Sequence, residues 1–151
     1  MKNIDTEKLQ EMVGKDLGVS NWVKVDQNRI NSFAECTNDY QFIHLDEEKT
    51  RKHTPFGGTI AHGFLLLSLL SKFANELPFE FVNKKIVINY GFNKVRFISP
   101  VYAGKKIRAK FVLSEVSQRK GDQLLIKYEV NIEIEGEDKP AIFAEWLTLL
   151  V

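Results

Sequence analysis

The chain has 151 residues, enough for one domain with a sizeable core, and 44% hydrophobic against 27% charged content is an ordinary globular balance. A net charge of +1 gives no reason to expect a nucleic-acid or membrane partner. The single cysteine, Cys36, excludes an internal disulfide and suits a reducing cytosol, and the charged N-terminus has no apolar signal core. The apolar stretch Phe64 to Leu70 is too short to span a bilayer. We therefore expect one soluble, cytoplasmic domain over residues 1–151.

The N-terminal third predicts short helices separated by loops. Residues 1–18 are expected to form a helical extension that Gly14 stops, with an apolar face of Leu9, Met12 and Val13. The segment "NWVKVD" predicts a short strand. Asp26 can cap a helix through "QNRINSFAECT", whose buried side would consist of Ile30, Phe33 and Ala34. The segment "DEEKTRKH" predicts one or two further helical turns.

The segment "TIAHGFLLLSLLSKFANEL" predicts the one long helix of the chain, which Pro78 would close. It is apolar nearly all round through Leu70, so burial on most of its faces is expected. After it come four runs rich in β-branched and aromatic residues, "KKIVINYGFNKVRFI", "IRAKFVLSEVSQ", "LLIKYEVNIEIEG" and "AIFAEWLTLLV", separated by turn signals. In the second run Ile107, Ala109, Phe111 and Leu113 share a face. This order predicts an α+β fold in which an antiparallel sheet curls around a central helix.

An acid and a histidine stand close together before that helix. Asp39 and His44 are separated by "YQFI", in a segment that could direct both side chains into one cleft. A carboxylate and an imidazole together can hold a water and move its proton, and histidine titrates near neutrality. The alternative is that Asp39 caps a turn and His44 is a satisfied polar residue. The pair by itself does not decide between these interpretations.

A glycine-containing segment, "FGGTIAHG", follows at the predicted start of the helix. The first N–H groups of a helix have no intrahelical partner, and an N–H directed at a carbonyl oxygen stabilises the charge that develops there during addition or enolisation. Gly63 is the candidate donor because the absence of a side chain lets a substrate approach. A purely structural interpretation is that Gly63 permits strands to cross the helix closely, and the two interpretations are compatible.

These motifs resemble those of the MaoC-like dehydratases, or (R)-specific enoyl-CoA hydratases, of the hot-dog fold. That signature reads roughly Gly-Asp-x-Asn-Pro-(Ile/Leu)-His, then a loop, then Ala/Leu-His-Gly at the central helix. The NodN-like branch, with Asp-x-Gln-Trp-Ile-His, is closer to the run from Asp39 to His44 here. The segments "NYGFNKVRF", "SPVYAGKKIRA" and "KPAIFAEWL" also look like that branch. Asn38, Gln41 and Phe42 depart from the hydratase signature and would alter the wall of the pocket.

The resemblance implies a role for each matching position. Asp39 and His44 match the catalytic pair that activates water, and Gly63 matches the residue whose amide binds the thioester carbonyl oxygen. Substrate-binding positions would be Gln41, Phe42, Ser68, Asn93 and Arg96. For Ser68, a small helix residue packed under the sheet is an equally good interpretation. Coenzyme A would be part of the substrate, and no separate cofactor is implied.

The function predicted on this basis is a hydratase or dehydratase acting on an enoyl or 3-hydroxyacyl thioester of coenzyme A or an acyl carrier protein. A hot-dog thioesterase is the second candidate, although it would more usually carry its acid on the long helix, where Glu76 near the end is the only one. A non-catalytic acyl-thioester binding module is the third. Exposed sheet edges predict a homodimer, with a higher homo-oligomer as an alternative.

The remaining histidines, Cys36 and a run of cations are further candidate sites. His62 precedes Gly63 and is interpreted as a residue that holds the loop, while His53 in a charged stretch is expected to be solvated. The three histidines lack metal-site spacing, so no metal is predicted. Cys36 is expected to be a buried structural thiol. The cations from Lys94 to Lys110 could meet coenzyme A phosphates, but a solvated strand face is favoured for most of them.

Overall fold

A computed structural model describes residues 2–82 and 86–151 of the chain. Its strands are β1 (Lys2–Asp5), β2 (Asp16–Val19), β3 (Val23–Lys24), β4 (Phe79–Val82), β5 (Val87–Phe97), β6 (Lys106–Gln118), β7 (Leu124–Ile134) and β8 (Ile142–Leu150). Six of them form one antiparallel sheet in the order β2-β6-β7-β8-β5, with β3 also paired to β6. Strands β1 and β4 form a separate parallel pair.

The helices precede most of the sheet in the chain. A 3-10 helix spans Thr6–Met12, and the α-helices are α1 (Gln27–Thr37), α2 (Phe42–Leu45), α3 (Glu47–His53), α4 (Gly63–Ser68) and α5 (Leu70–Ala74). The predicted cap of α1 is confirmed, because the Asp26 carboxylate accepts a hydrogen bond of 3.0 Å from the Arg29 amide.

The core lies between the concave face of the sheet and the helices. The face predicted for β6 is confirmed, since Ile107, Ala109, Phe111 and Leu113 are completely buried. Leu65, Leu66, Leu70 and Phe73 from α4 and α5 pack into the same cluster, together with Ile30 of α1. The predicted α+β architecture, an antiparallel sheet wrapped around a central helix, is therefore confirmed.

The N-terminal segment differs from the helical extension expected over 1–18. Among its described residues, 2–18, the only helix is the 3-10 helix at Thr6–Met12, and β2 pairs with β6 between Asp16 and Val19. Gly14 donates its N–H to the Leu113 carbonyl at 2.7 Å and has a φ of 82°, so the glycine turns the chain into the sheet. Residues 16–19 are part of the main sheet because their backbone finds partners on β6, whereas β1 pairs with β4.

The central helix is shorter than predicted and is interrupted. Residues 59–61 are extended, because Ile60 forms a β-bridge with Tyr102 and the Ala61 amide donates to the Val101 carbonyl at 2.7 Å. The helix therefore begins at Gly63, and α4 gives way to α5 at Leu69. Its burial is also one-sided, since the side chain of Phe64 is 68% exposed.

Cys36 corrects another expectation, because it is exposed. The buried residues of α1, Ile30 and Ala34, are four positions apart and share one helical face, which leaves Cys36 on the other side.

Within residues 2–82 and 86–151, no helix is sufficiently long and apolar to cross a membrane.

Candidate functional site

His44 lies at the centre of the candidate site. Its side chain is 7% exposed, and Nδ1 lies 2.7 Å from the carbonyl oxygen of Ile60. A carbonyl oxygen only accepts hydrogen bonds, so Nδ1 must carry the proton in the neutral ring. The Nε2 atom of His44 therefore has its lone pair available, which is the state required of a general base.

Asp39 reaches this histidine through an unusual backbone turn. Asn38 ends α1 in the left-handed region, with a φ of 57°, the only positive value at a non-glycine residue in the described chain. Asparagine tolerates this conformation better than most residues, which explains how it can replace the family's glycine. Beyond the turn, one side-chain ligand atom from each of Asp39, His44 and His62 lies within 4.8 Å of the others. The structure thus brings the predicted pair together.

His62 ties the Asp39 loop to the start of the central helix. Its Nε2 lies 3.0 Å from the backbone oxygen of Asp39, and its ring stacks on His44 with centroids 3.7 Å apart. This is the loop-holding contact expected of His62. Its Nδ1 atom is buried and has no hydrogen-bond partner within the described residues.

The same three side chains raise the question of a metal site. Stacked imidazoles direct their in-plane lone pairs side by side, whereas a metal needs lone pairs that converge on one point. The rings of His44 and His62 are inclined by 25° only, so their arrangement favours a water-handling pair over a metal centre. The absence of a metal remains a prediction.

Gly63 follows His62 at the start of α4 and lines the same pocket as His44. Its backbone N–H has no acceptor among the described residues, as the geometry of a first helical turn leads one to expect. A Cβ atom at this position would lie 2.6 Å from Cε1 of the Phe97 ring, a distance that side chains do not tolerate. A side chain at position 63 would therefore displace the Phe97 ring and cover part of the amide, whereas glycine leaves both undisturbed.

An apolar pocket of about 420 Å³ adjoins His44 and Gly63. Its other lining residues are almost all apolar. They come from α4 and the loop before it, from the end of β5 and the segment that follows it, and from the position before β8: Phe56, Ile60, Ala61, Phe64, Leu66, Phe97, Ile98, Ser99, Pro100, Val101 and Ala141. Polar groups thus converge at one side of a cavity whose remaining walls suit a hydrocarbon chain.

Burial controls the protonation of His44. Removal of the ring from water lowers its pKa from the ordinary value, and the neighbouring His62 acts in the same direction. The hydrogen bond to Ile60 and the Asp39 carboxylate oppose this effect without reversing it. His44 is therefore neutral, and able to accept a proton, throughout the neutral pH range.

A dependence of stability on pH follows from that lowered pKa. The unfolded chain takes up a proton at His44 near pH ~6.5, while the folded protein resists protonation until lower pH. This contribution to the free energy of unfolding is complete above pH ~6.5 and is lost as the pH falls towards the folded-state pKa. Urea unfolding at a series of pH values should show a smaller loss at acidic pH for His44→Gln than for the native chain. If the free energy of unfolding fell equally with pH in the two proteins, the dependence could not originate from His44.

Three predicted substrate-binding residues have other contacts. The Ser68 hydroxyl donates to the Leu65 carbonyl at 2.7 Å, which agrees with the interpretation of a small helix residue. Phe42 lies beneath the Lys49 ammonium group, 4.8 Å from the ring centroid, and Gln41 is exposed at the start of α2. None of the three is among the described residues that line the His44 pocket.

Asn93 and Arg96 are also placed elsewhere in this chain. Asn93 lines a separate cavity with Tyr90, Glu115 and Arg119. Arg96 stands opposite Phe143, whereas its neighbours Val95 and Phe97 stand opposite the buried Ala144 and Ile142. Since successive side chains alternate across a sheet, Arg96 projects from the convex face, away from the pocket.

The cations at the start of β6 and just before it are paired with carboxylates. The ion pairs are Lys105–Glu137 (3.1 Å), Lys106–Glu135 (3.1 Å), Arg108–Glu133 (2.7 Å) and Lys110–Asp16 (2.9 Å). Such pairs near the surface contribute little to stability, but they neutralise one another. This arrangement supports the solvated-face interpretation over a phosphate site.

The aromatic wall of the pocket was missed by the sequence reasoning. The wall is built from Phe56, Phe64 and Phe97, whereas Phe42 is not among the described residues that line the pocket and its neighbour Tyr40 is 58% exposed. One available signal was the apolar segment "FISPV", which begins at Phe97 and follows a strand without a polar turn.

Comparison with known proteins identifies the family. The model of the MaoC like domain matches residues 8–136. The chain belongs to this MaoC-like family. Nodulation protein N of Rhizobium meliloti (strain 1021) is 44% identical over 149 residues, covering 99% of this chain and 92% of that protein. The 3-hydroxyacyl-thioester dehydratase Z of Mycobacterium tuberculosis (strain CDC 1551 / Oshkosh) is 39% identical over 137 residues, covering 91% and 89%.

A solved structure agrees with this MaoC-like assignment. The monoamine oxidase regulatory protein from Archaeoglobus fulgius superposes with a TM-score of 0.83 at 25% identity, covering 99% of this chain and 95% of that one. These comparisons confirm three predictions at the level of the family. They are the resemblance to the NodN-like branch, the hot-dog fold, and the enzyme class of a hydratase or dehydratase.

Proposed function

We propose that this MaoC-like protein adds water to an enoyl thioester, or removes water from a 3-hydroxyacyl thioester. The observation that carries the proposal is the position of His44, which lines the apolar pocket together with Gly63, whose amide is free, and lies within 4.8 Å of the Asp39 carboxylate. The 3-hydroxyacyl-thioester dehydratase of Mycobacterium tuberculosis is a full-length relative, which supports the same substrate class here. Coenzyme A and acyl carrier protein are both compatible carriers.

In the hydration direction, a water molecule would lie between the Asp39 carboxylate and Nε2 of His44. His44 would accept a proton from this water as its oxygen attacks C3 of the enoyl group. The electron pair of the double bond then moves towards the thioester, and the resulting enolate oxygen would receive the hydrogen bond of the Gly63 amide. Protonation of C2 by the Asp39/His44 pair completes the addition. Dehydration follows the same steps in reverse.

The apolar pocket supports an acyl substrate over a polar one. Its inner wall contains Leu66, Val101 and Ala141, which are buried and offer no hydrogen-bonding side chain. A hydrocarbon tail in this cavity would exclude water from all but the reacting end of the substrate, which strengthens the hydrogen bond from Gly63.

The thioesterase alternative is less well supported. Its candidate acid, Glu76, lies beyond the end of α5, bonds to Lys72 and accepts a hydrogen bond of 3.0 Å from the Asn21 amide. The Lys72 contact holds the pKa of Glu76 below its ordinary value, and Glu76 is not among the described residues lining the pocket. A binding module would not need Asp39 and His44 together, so their proximity supports catalysis.

A hydration assay tests the proposal directly. Purified protein is mixed with trans-2-enoyl-CoA thioesters of several chain lengths, while conjugated-thioester absorbance and free thiol are followed in parallel. We expect absorbance to fall without thiol release, and Asp39→Asn to lose this activity. Thiol release would transfer the assignment to a thioesterase. Inactivity on the whole panel, together with tight acyl-CoA binding, would indicate the binding module.

We further propose that the protein forms a homodimer through β5. This strand lies at one end of the sheet order and exposes apolar side chains over much of its length: Val87, Ile88, Tyr90, Phe92 and Phe97. Monomeric proteins usually protect an edge strand with charges. The part of β5 from Val87 to Phe92 carries none, which favours pairing with an identical copy across a two-fold axis.

Charge substitution distinguishes the two edges of the sheet. Ile88 on β5 and Val19 on β2 are similarly exposed, at 45% and 41%. We expect Ile88→Lys to yield monomers in analytical ultracentrifugation, because the two-fold axis brings equivalent lysines near each other at the strand pair. Val19→Lys should leave the dimer intact. A monomeric native protein, or a dimer lost only with Val19→Lys, would overturn the assignment to β5.

A further inference from the structure

We propose that Gln27 is a positioning residue that fixes the imidazole of His44 by joining the two segments that hold it. This inference rests on the proposed function, in which His44 is the general base. Gln27 begins α1, and its side chain makes three hydrogen bonds. The amide Nε2 donates to the His44 carbonyl at 2.7 Å and to Asn31 Oδ1 at 2.8 Å, while Oε1 accepts from the Thr59 hydroxyl at 2.6 Å.

The chemistry of these contacts fixes the orientation of the Gln27 amide. The His44 carbonyl can only accept, so the nitrogen of the amide must face it. Both hydrogens of that nitrogen are then used, and the oxygen is left to face Thr59. A carboxylate of the same length could not make the His44 contact without a proton. Glutamine is thus specifically suited to this position.

Thr59 transmits the contact to the ring of His44. Its side chain is 6% exposed, and its carbonyl accepts a hydrogen bond of 3.0 Å from the Ala103 amide. The next residue, Ile60, donates its amide to the Ile43 carbonyl at 3.1 Å and accepts the Nδ1 proton of His44 with its own carbonyl at 2.7 Å. Gln27 therefore holds the backbone of His44 directly, and the Thr59–Ile60 segment holds its ring.

The hydrogen bonds that link Gln27, the Thr59–Ile60 segment and His44 together determine the direction in which Nε2 of His44 points. Loss of Gln27 would leave the α2 backbone joined to the Thr59–Ile60 segment only through the Ile60 amide and the Ile43 carbonyl, so the ring could tilt relative to Asp39 and Gly63. A misplacement of about 1 Å in a reacting group can lower the rate up to roughly 100-fold. Because Gln27 is not among the described residues lining the pocket, substrate binding should change much less than turnover.

Two pairs of variants separate positioning from a general loss of stability. Gln27→Met keeps the length of the side chain and removes all three bonds, while Asn31→Ala removes only the bond that leads away from the site. Thr59→Val removes the hydroxyl, and Thr59→Ser retains it. We expect Gln27→Met and Thr59→Val to lower kcat for enoyl-CoA hydration by up to roughly 100-fold with little change in KM. Asn31→Ala and Thr59→Ser should resemble the native protein.

A spectroscopic measurement completes the test without relying on activity. The Nδ1 proton of His44 is buried and bonded to a carbonyl. It should therefore exchange slowly with water and give an observable NMR signal. Gln27→Met should accelerate this exchange, and Asn31→Ala should not. Unchanged kcat and exchange in Gln27→Met, or a Thr59→Ser protein as impaired as Thr59→Val, would overturn the positioning role. If the native protein hydrates no thioester but Gln27→Met still accelerates the exchange, the proposed function fails while the contact between Gln27 and His44 stands.

Discussion

His44→Ala is expected to lower kcat for thioester hydration by roughly 10²–10⁴-fold, because the variant has no group to accept the proton of the attacking water. Asp39→Asn should cause a loss in the same range, since an amide cannot share that proton. The two losses should not add in the double variant, because the groups act on the same water. Steady-state kinetics of the three variants with one enoyl-CoA substrate would provide these comparisons.

A second histidine supplies the control for this experiment. His53 at the end of α3 is exposed and is not among the described residues lining the pocket, so His53→Ala should retain native kinetics. Circular dichroism would establish that His44→Ala keeps its fold. Full activity in both His44→Ala and Asp39→Asn would exclude the proposed acid–base pair.

Gly63→Ala is the second substitution for which we expect a large effect. The added methyl group would lie beside the free amide and 2.6 Å from the Phe97 ring, so it would obstruct the approach of a carbonyl oxygen. Removal of a comparable donor costs roughly 10²–10³-fold in kcat, and we expect a loss of that order in hydration. Gly57→Ala is a matched control in the same loop region, because a Cβ atom at Gly57 would meet nothing within 4 Å.

A loss of activity in Gly63→Ala could come from the collision with the Phe97 ring or from coverage of the Gly63 amide, and a double variant distinguishes the two causes. Phe97 is 52% exposed, so its ring can rotate away from a new methyl group at modest cost. In Gly63→Ala with Phe97→Leu, the collision is relieved while the methyl group still covers the amide. We expect this double variant to remain impaired. Recovery of native activity would mean that Gly63 serves only to accommodate Phe97.

Local sequence signals were sufficient for the strands of the sheet and for the proximity of Asp39 and His44. Alternation along β6 located the buried face, and the Asp26 cap located the start of α1, because both depend on neighbours in the chain. The Asp39/His44 proximity was also predicted, since the two residues lie within a short segment. The resemblance to a known family added Gly63, which spacing alone left ambiguous.

Contacts between distant segments explain what could not be predicted. The central helix begins at Gly63 because Ile60 and Ala61 bond to Val101 and Tyr102, which lie about 40 residues further along the chain. The pocket wall comes from Phe97 and its successors for the same reason. Gln27 belongs to no sequence motif, because its proposed positioning role depends on contacts with Thr59 and with the backbone of His44. Such partners become evident only after the chain has folded.

The separation of β5 and β8 along the chain bears on the order in which the molecule assembles. Strands β6, β7 and β8 are joined by turns and can pair locally, whereas Phe97 meets Ile142 only after the chain between them has been organised. Contacts of long sequence separation form slowly, because the entropy of closing the intervening loop must be overcome first. The wall of the pocket formed by Phe97, Val101 and Ala141 should therefore close late in folding. A newly made chain would be protected from proteases along its hairpins before it could bind an acyl group.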